Sequence, residues 1–562
     1  MSSNPLFRKK SPTAQHDDLE IHGGSGLNKV LNVRDLTFFG IAAIIGGGTF
    51  SAIGNACFSG GPAVILLYII CAVACGFTAM CYAEFAARVP VSGSAYTYAY
   101  VSFGELFAWI IGWALLMEYS IGNIYIAFSW SGYFTNLLEG FGMHLPEWLT
   151  VNYTAAHRAF LENTAGEGLL AWTNAPQIGG LHIIFDLPGV MINVLITALV
   201  YIGTRESRNF SNLMVLIKLS VVVLVIIVGF FYIDIDNWTP FMPNGFTGVM
   251  SGVSAVFFAY IGFDAVSTLA EESKNPQRDL PRGMIYSLVI CTVVYIILAL
   301  VLTGMASYTL LGVSDPLAEI FQLKGVKWML LIVSIAAVVA MTSVMLVFQM
   351  GQPRIWMSMS RDGLLPKKFS EIHPKFKTPG FATIITGLVV GLPMFFTDEN
   401  FILDFTSIGT LFAFVLVCGG VLMLPSQTAD EKIATEATKG KFRLPYINSK
   451  YIFPLIIIAT FSFLIYKYPA FFSEAFNFTG ENVGLKIPMI VFFVVCFVIT
   501  ILSFLKNLSL IPVLGLVSCC YLLTGMAASN WIWFFIWFSI GLIVYFTYSM
   551  RKSKLNPENK TR

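Results

Sequence analysis

Ala43-Ile44-Ile45-Gly46-Gly47-Gly48-Thr49-Phe50 places three consecutive glycines in the middle of an apolar run. Each glycine weakens a helix by roughly 1 kcal/mol relative to alanine, so three together favour an unwound stretch. In hydrocarbon, freed amide groups are costly unless they line a polar cavity or meet a ligand. The half-helix restarting after the break offers bare N–H groups and a partial positive charge, which suits a carboxylate. A second interruption, Phe257-Phe258-Ala259-Tyr260-Ile261-Gly262-Phe263-Asp264, sets a glycine beside an acid at a similar depth in a later run. There the last carbonyls of the first half-helix face a cation, and Asp264 is expected to cap the half-helix that restarts. Both breaks contain Ala-x-Ile-Gly, at Ala43 to Gly46 and Ala259 to Gly262. Matched broken spans in two halves of a chain point to a carrier built from inverted repeats. The competing reading is that these glycines serve close helix packing. One break offers donors to an anion and the other offers acceptors to a cation, a pairing that fits a zwitterionic α-amino acid.

The rest of the chain agrees with burial in lipid. Of 562 residues, 56% are hydrophobic and only 12% are charged, and the mean hydropathy is +0.74. Soluble domains carry about a quarter charged residues. A span needs roughly 20 apolar residues. Qualifying runs fall at 37–57, 64–86, 106–136, 188–204, 211–232, 248–269, 285–305, 328–350, 380–397, 402–424, 451–469, 487–505, 508–527 and 531–550. The expected fold is therefore an all-α membrane protein with about fourteen transmembrane helices.

Placing the N-terminus inside puts most Lys and Arg in inside loops, and an even span count makes both termini cytoplasmic. The first 35 residues form a basic cytoplasmic segment with no cleavable signal. The expected layout is a transporter core over 36–425, in halves of about 36–232 and 248–425, with an outer loop at 137–187. A cytoplasmic loop at 426–450, four further helices over 451–550 and a tail at 551–562 complete it. The outer loop reads as a lid, an oligomer contact or an insertion.

Net charge is +2 and no basic tract suits nucleic acid. The six His make no metal-binding pair at helical spacing, and the nine Cys lie in or beside apolar runs as small packing residues. No H-E-x-x-H, G-x-S-x-G or phosphate-binding loop is present. The chain is thus expected to be no enzyme, with no catalytic residue, metal or cofactor.

Two charges remain mid-span. Glu118 sits in LLMEY and Lys218 in LIKLS. A charge at a helix centre costs roughly 2.5–3.5 kcal/mol on insertion scales, so both are functional candidates. A lysine held out of water is a candidate proton carrier. The competing readings are snorkelling of Lys218 and a structural pair for Glu118.

FFAYIGFDAVSTLAEESKNPQRDLP (257–281) resembles the sixth-span signature of the cationic amino acid transporter family, within the amino acid–polyamine–organocation superfamily. YAEFAARVPVSGSAYTYAY (82–100), SWSGYF (129–134), GQPRIWMSMSRDGLLPKKFSEIHPKFKTP (351–379) and SIGTLFAF (407–414) are similar to the same family, in order along the chain. The pair at 451–505 fits its fourteen-span members. The resemblance implies the leucine-transporter-type fold, with two inverted five-helix repeats and discontinuous helices 1 and 6. It implies a substrate site of Ile45, Gly46, Gly47, Gly48, Glu118, Phe258, Ala259, Ile261 and Met341, with Lys218 as the proton-coupling group. Thr342, Ser343 and Asp264 fall at positions for gating or the sodium-site equivalent. Thr49 departs from the usual Ile, and the 137–187 loop is long for the pattern.

The expected function is import of cationic or small neutral L-amino acids by proton symport across a plasma or bacterial inner membrane. The partners are L-amino acid, protons and the lipid bilayer, and a small single-span accessory subunit stays open. A proton-independent exchanger or facilitator is the alternative, and a non-transporting amino acid sensor on the same scaffold is the alternative of another class.

Overall fold

The computed structural model describes residues 5–10, 29–88, 94–163, 166–203, 207–313, 315–397, 399–423, 442–467, 483–526 and 528–556. The cytoplasmic loop expected at 426–450 lies largely outside them. Each of the fourteen apolar runs contains helix among its described residues. Among the described residues, nine helices are long and apolar enough to cross a membrane. Four shorter apolar helices, Leu187–Ile202, Gly380–Phe395, Ser449–Phe463 and Leu510–Leu523, accompany them. The chain is an all-α integral membrane protein.

Helix α1 (Val33–Ile44) starts at a reciprocal cap: Asn32 Oδ1 accepts from the amides of Arg34 and Asp35, and Asp35 Oδ2 accepts from the Asn32 amide at 3.1 Å. It stops at the extended residue Ile45. A π-helical turn, Gly48–Ala52, leads into α2 (Ile53–Gly60). Helix α3 (Val64–Arg88) and the short α4 (Ala95–Ser102) follow. Helix α5 (Glu105–Gly140) is the long central strut.

The loop at 137–187 has a small apolar core of its own. Its helices α6 (Tyr153–Leu161) and α7 (Glu167–Asn174) and a two-residue hairpin (Gln177–Ile178 with Leu181–His182) enclose Ala156, Ala171, Ala175 and Ile184. Thr154 Oγ1 donates to Phe396 O, tying the loop to the end of a later span.

The chain continues with α8 (Leu187–Ile202) and α9 (Ser207–Phe230). The sixth span comes in pieces: α10 (Gly245–Ser251), α11 (Val253–Phe258) and a 3-10 segment, Phe263–Glu272. Then come α12 (Pro276–Met305), α13 (Pro316–Leu323), α14 (Lys327–Arg361), α15 (Gly380–Gly391) and α16 (Glu399–Met423). The closing helices are α17 (Ser449–Lys467), α18 (Val483–Lys506), α19 (Leu510–Leu523) and α20 (Ala528–Val544).

Burial separates the centre from the rim. The apolar window of Val253–Glu272 is 100% buried, whereas that of Ile487–Lys506 is 17% buried and turns an apolar face outward. Helix α5 packs along α14 and α16, and α12 along α3 and α1. The two breaks, residues 43–50 and 257–264, are wholly buried among these helices.

Several polar contacts bridge the elements at the end rich in Lys and Arg. Lys10 Nζ and the Tyr96 hydroxyl both reach Asp362, each at 2.7 Å. The amides of Val30 and Leu31 donate to Glu272 O at 3.0 Å, and Lys274 N returns to Leu31 O at 2.9 Å. The buried Arg354 guanidinium pairs with Glu272. Glu84, near the end of α3, pairs with Arg88.

Candidate functional site

The first break is real. Ile45 N donates the last bond of α1, to Ile41 O at 3.0 Å. The next internal acceptor is Gly46 O, which takes Thr49 N at 2.9 Å and Phe50 N at 3.0 Å. The amides of Gly46, Gly47 and Gly48 stand at the head of the restarted helix, where a helix supplies no acceptors of its own.

The second break differs in form. Past α11, Tyr260 N donates to Phe257 O at 2.9 Å and Ile261 N to Phe258 O at 3.1 Å. Gly262 then takes φ +114, a conformation that favours glycine. The cap position of the next segment falls on Gly262, which has no side chain, so Asp264 is not the cap residue expected from the sequence. Asp264 lies two residues further on, and its Oδ2 accepts from the Tyr119 hydroxyl at 3.3 Å. Phe258 O is already engaged locally. The carbonyls of Ala259 and Ile261 come after the last regular turn.

The breaks touch each other. A Cβ on Gly48 would lie 2.4 Å from Ala259 Cα, and one on Gly262 would lie 2.7 Å from Ala43 Cβ. As the chain advances from 43 to 48 it meets 262 back to 259, so the two interruptions cross head to tail. At Gly46 and Gly47 the obstacles to a Cβ are the side chains Val344 and Ile126. At Gly48 the obstacle is backbone, so of these three glycines it is the one that the crossing itself demands.

Lys218, on α9, is fully buried beside the first break. Its Nζ donates to Ala42 O at 2.9 Å, Ile45 O at 2.6 Å and Ser343 Oγ at 2.9 Å. These partners exclude snorkelling. An ammonium has three N–H donors and the site presents three acceptors, so the charged form is saturated; a neutral amine donates to only two of them, and keeps the third contact only by accepting from Ser343, whose hydroxyl must then leave Ala340 O. Ser343, on α14, passes a bond on to Ala340 O at 2.7 Å. The adjacent Thr342 faces elsewhere, accepting from Trp130 Nε1 at 2.9 Å. Of that pair, Ser343 alone joins the lysine.

Glu118 is 1% exposed, has no hydrogen-bond partner for its Oε2, and lies beside Asp264 and Thr410. Ile45, Phe258, Ala259, Ile261 and Met341 are all buried.

Tyrosines complete the site, and the sequence reading missed them. Tyr295, on α12, donates from its hydroxyl to Ile44 O at 2.9 Å and accepts from Thr49 Oγ1 at 3.1 Å. The threonine that departs from the usual Ile therefore has a specific partner. Tyr133 donates to Phe50 O at 2.6 Å. Tyr125 packs edge-on against Phe258 at 4.6 Å. The available signal was a polar ring tip deep in apolar sequence, since a buried tyrosine hydroxyl seeks a partner.

The arrangement has no nucleophile–base pair at the breaks. It presents amides, carbonyls and one saturated ammonium around an unwound backbone, which is equipment for holding a small polar molecule. The amino acid permease family model matches residues 31–493, and a model of the C-terminus of such permeases matches 508–553. This chain belongs to the amino acid permease family.

It is 37% identical to the branched-chain amino acid permease of Bacillus subtilis (strain 168), over 98% of this chain and 99% of that protein. The methylthioribose transporter of the same organism is 35% identical, over 98% and 99%. The vacuolar cationic amino acid transporter 4 of Arabidopsis thaliana is 30% identical, over 98% and 97%. The protein is an amino acid permease, a membrane transporter and not an enzyme.

Proposed function

We propose that this permease is a secondary active transporter that imports cationic or small neutral L-amino acids by proton symport, with Lys218 as the coupling group. The observation that carries the reading is the match of three donors on the Lys218 ammonium to three acceptors, two of them carbonyls of the first break. Protonated, the lysine pins Ala42 and Ile45 to Ser343 and holds the break in shape. On losing its proton it has one donor fewer, so either one of these bonds or the Ser343–Ala340 bond is given up, and the site loosens.

In this reading the substrate carboxylate meets the amides of Gly46, Gly47 and Gly48. Its amino group meets the carbonyls of Ala259 and Ile261, with Phe258 O as a shared acceptor. Glu118 and Met341 line the side-chain space, and Ile45 forms its edge. The crossed breaks fit two inverted five-helix repeats within a fourteen-span chain, with discontinuous helices 1 and 6. The protein would sit in the plasma membrane with both termini cytoplasmic and the bridged basic end on the inner side.

The relatives named for branched-chain and for cationic amino acids leave a choice of side chain. The test is uptake into proteoliposomes of each proteinogenic amino acid and of methylthioribose, with and without an inward proton gradient. Uptake of an amino acid above equilibrium only with the gradient is expected. Gradient-independent uptake that appears only against an internal amino acid would replace symport by exchange, and uptake of methylthioribose alone would overturn the substrate class.

A further inference from the structure

A pocket opens at the end rich in Lys and Arg, where α8, α14 and α15 pack together. Val200 of α8 and Met350, Pro353 and Met357 of α14 form its apolar wall. Two cationic side chains, Arg354 of α14 and Lys377 just before α15, share the lining. No residue of the crossed breaks lines it.

The free donors here are cationic. Arg354 is 4% exposed, and Glu272 balances its charge. Bonds to Glu272 and to Met350 O use three of its five N–H groups, so two remain for a ligand. Lys377 is exposed, and among the described residues it has no ion pair. Thr378 and Thr383 also line the pocket, but their hydroxyls already donate, to Tyr201 O at 2.8 Å and to Pro379 O at 3.1 Å. What is left is one uncompensated positive charge beside a buried guanidinium with donors to spare, which selects an anion. Helix α15 starts at this wall, and the positive end of its dipole adds to the field. The segment 367–377 has the same bias, with four Lys against one Glu.

The surroundings of the pocket decide which anion. Leu199 and Ile202 of α8 and Phe381 and Ile384 of α15 are exposed, each within a turn of a lining residue. On an integral membrane protein such apolar faces meet acyl chains, and cationic side chains near the span ends meet headgroups. We infer that Arg354 and Lys377 bind the phosphate of an anionic phospholipid in the leaflet at the basic end, with its acyl chains along α8 and α15. A phosphodiester brings one negative charge, equal to the single uncompensated positive charge of the pocket. Its oxygens accept from the planar guanidinium fork, while the flexible Lys377 stem lets the ammonium follow the headgroup. A zwitterionic phospholipid brings its own cation and gains less. The site concerns the bilayer and holds whatever the cargo.

The test titrates the purified full chain, in a neutral detergent, with short-chain phosphatidylglycerol, phosphatidylcholine or glycerol 3-phosphate, and reads the first bound molecule by native mass spectrometry. Phosphatidylglycerol should bind at least about fivefold more tightly than phosphatidylcholine. Lys377→Gln should cancel that preference and Lys377→Arg should keep it. Lys375→Gln is the control, because Lys375 is exposed in the same segment, lies over the Phe376 ring at 5.4 Å and does not line the pocket. It should leave the preference unchanged. Equal binding of the two lipids overturns the inference, as does a preference that survives Lys377→Gln or is lost equally in Lys375→Gln. Glycerol 3-phosphate binding as tightly as phosphatidylglycerol would make this a site for a soluble phosphate and overturn the lipid assignment.

Discussion

Replacing Lys218 by alanine separates a structural lysine from a coupling one. The substitution removes three hydrogen bonds at 2.6–2.9 Å. Ser343 Oγ keeps its bond to Ala340 O, but Ala42 O and Ile45 O lose a buried donor. At about 1–3 kcal/mol per unsatisfied buried group, the first break is destabilised by about 2–6 kcal/mol. Substrate binding should weaken without vanishing, because the glycine amides and the second break remain. Coupling should fail outright. One proton moving down a gradient of two pH units supplies about 2.7 kcal/mol, enough for roughly hundredfold accumulation of a co-transported neutral substrate. In proteoliposomes with that gradient, the unaltered protein should approach this ceiling, while Lys218→Ala should stay near equilibrium yet still exchange labelled substrate in counterflow. Undiminished accumulation by Lys218→Ala would refute the coupling role, since no proton-carrying group would then be missing.

Two further changes test other parts of the structure. Gly48→Ala puts a Cβ 2.4 Å from Ala259 Cα, so the crossed breaks must separate. Substrate affinity should fall at least about tenfold, the equivalent of about 1.4 kcal/mol, and an unchanged dissociation constant would show that the breaks do not form one site. Asp315, just before α13, has its carboxyl pushed above the usual range by burial and then by Glu319. A raised folded-state value means that stability is lost as pH rises through it, so Asp315→Asn should melt higher than the parent near neutral pH, with the difference closing as pH falls toward about 4. Equal melting temperatures at both ends of that range would contradict this.

The residues themselves settled the solvent, the positions of the helices and the two places where helices fail. Those are local properties: apolar length decides whether a segment stays in lipid, and a run of glycines weakens a helix wherever it lies. The sequence also singled out Lys218 and Glu118, because a charge inside an apolar run is conspicuous in one dimension. It could not show that Lys218 is held by three acceptors from α1 and α14, or that Ser343 rather than Thr342 meets it. Neighbouring positions on a helix point about 100° apart, and only the packed partner helix decides which of them faces inward. The expected Asp264 cap failed for a related reason. The turn closed on Gly262, and the carboxyl went to Tyr119, 145 residues away in sequence. The crossing of Gly48 on Ala259 and the bridge that Tyr295 makes from Ile44 to Thr49 both depend on segments distant along the chain. The glycines could announce that the backbone opens, but what it opens toward depends on contacts that exist only once the helices have packed.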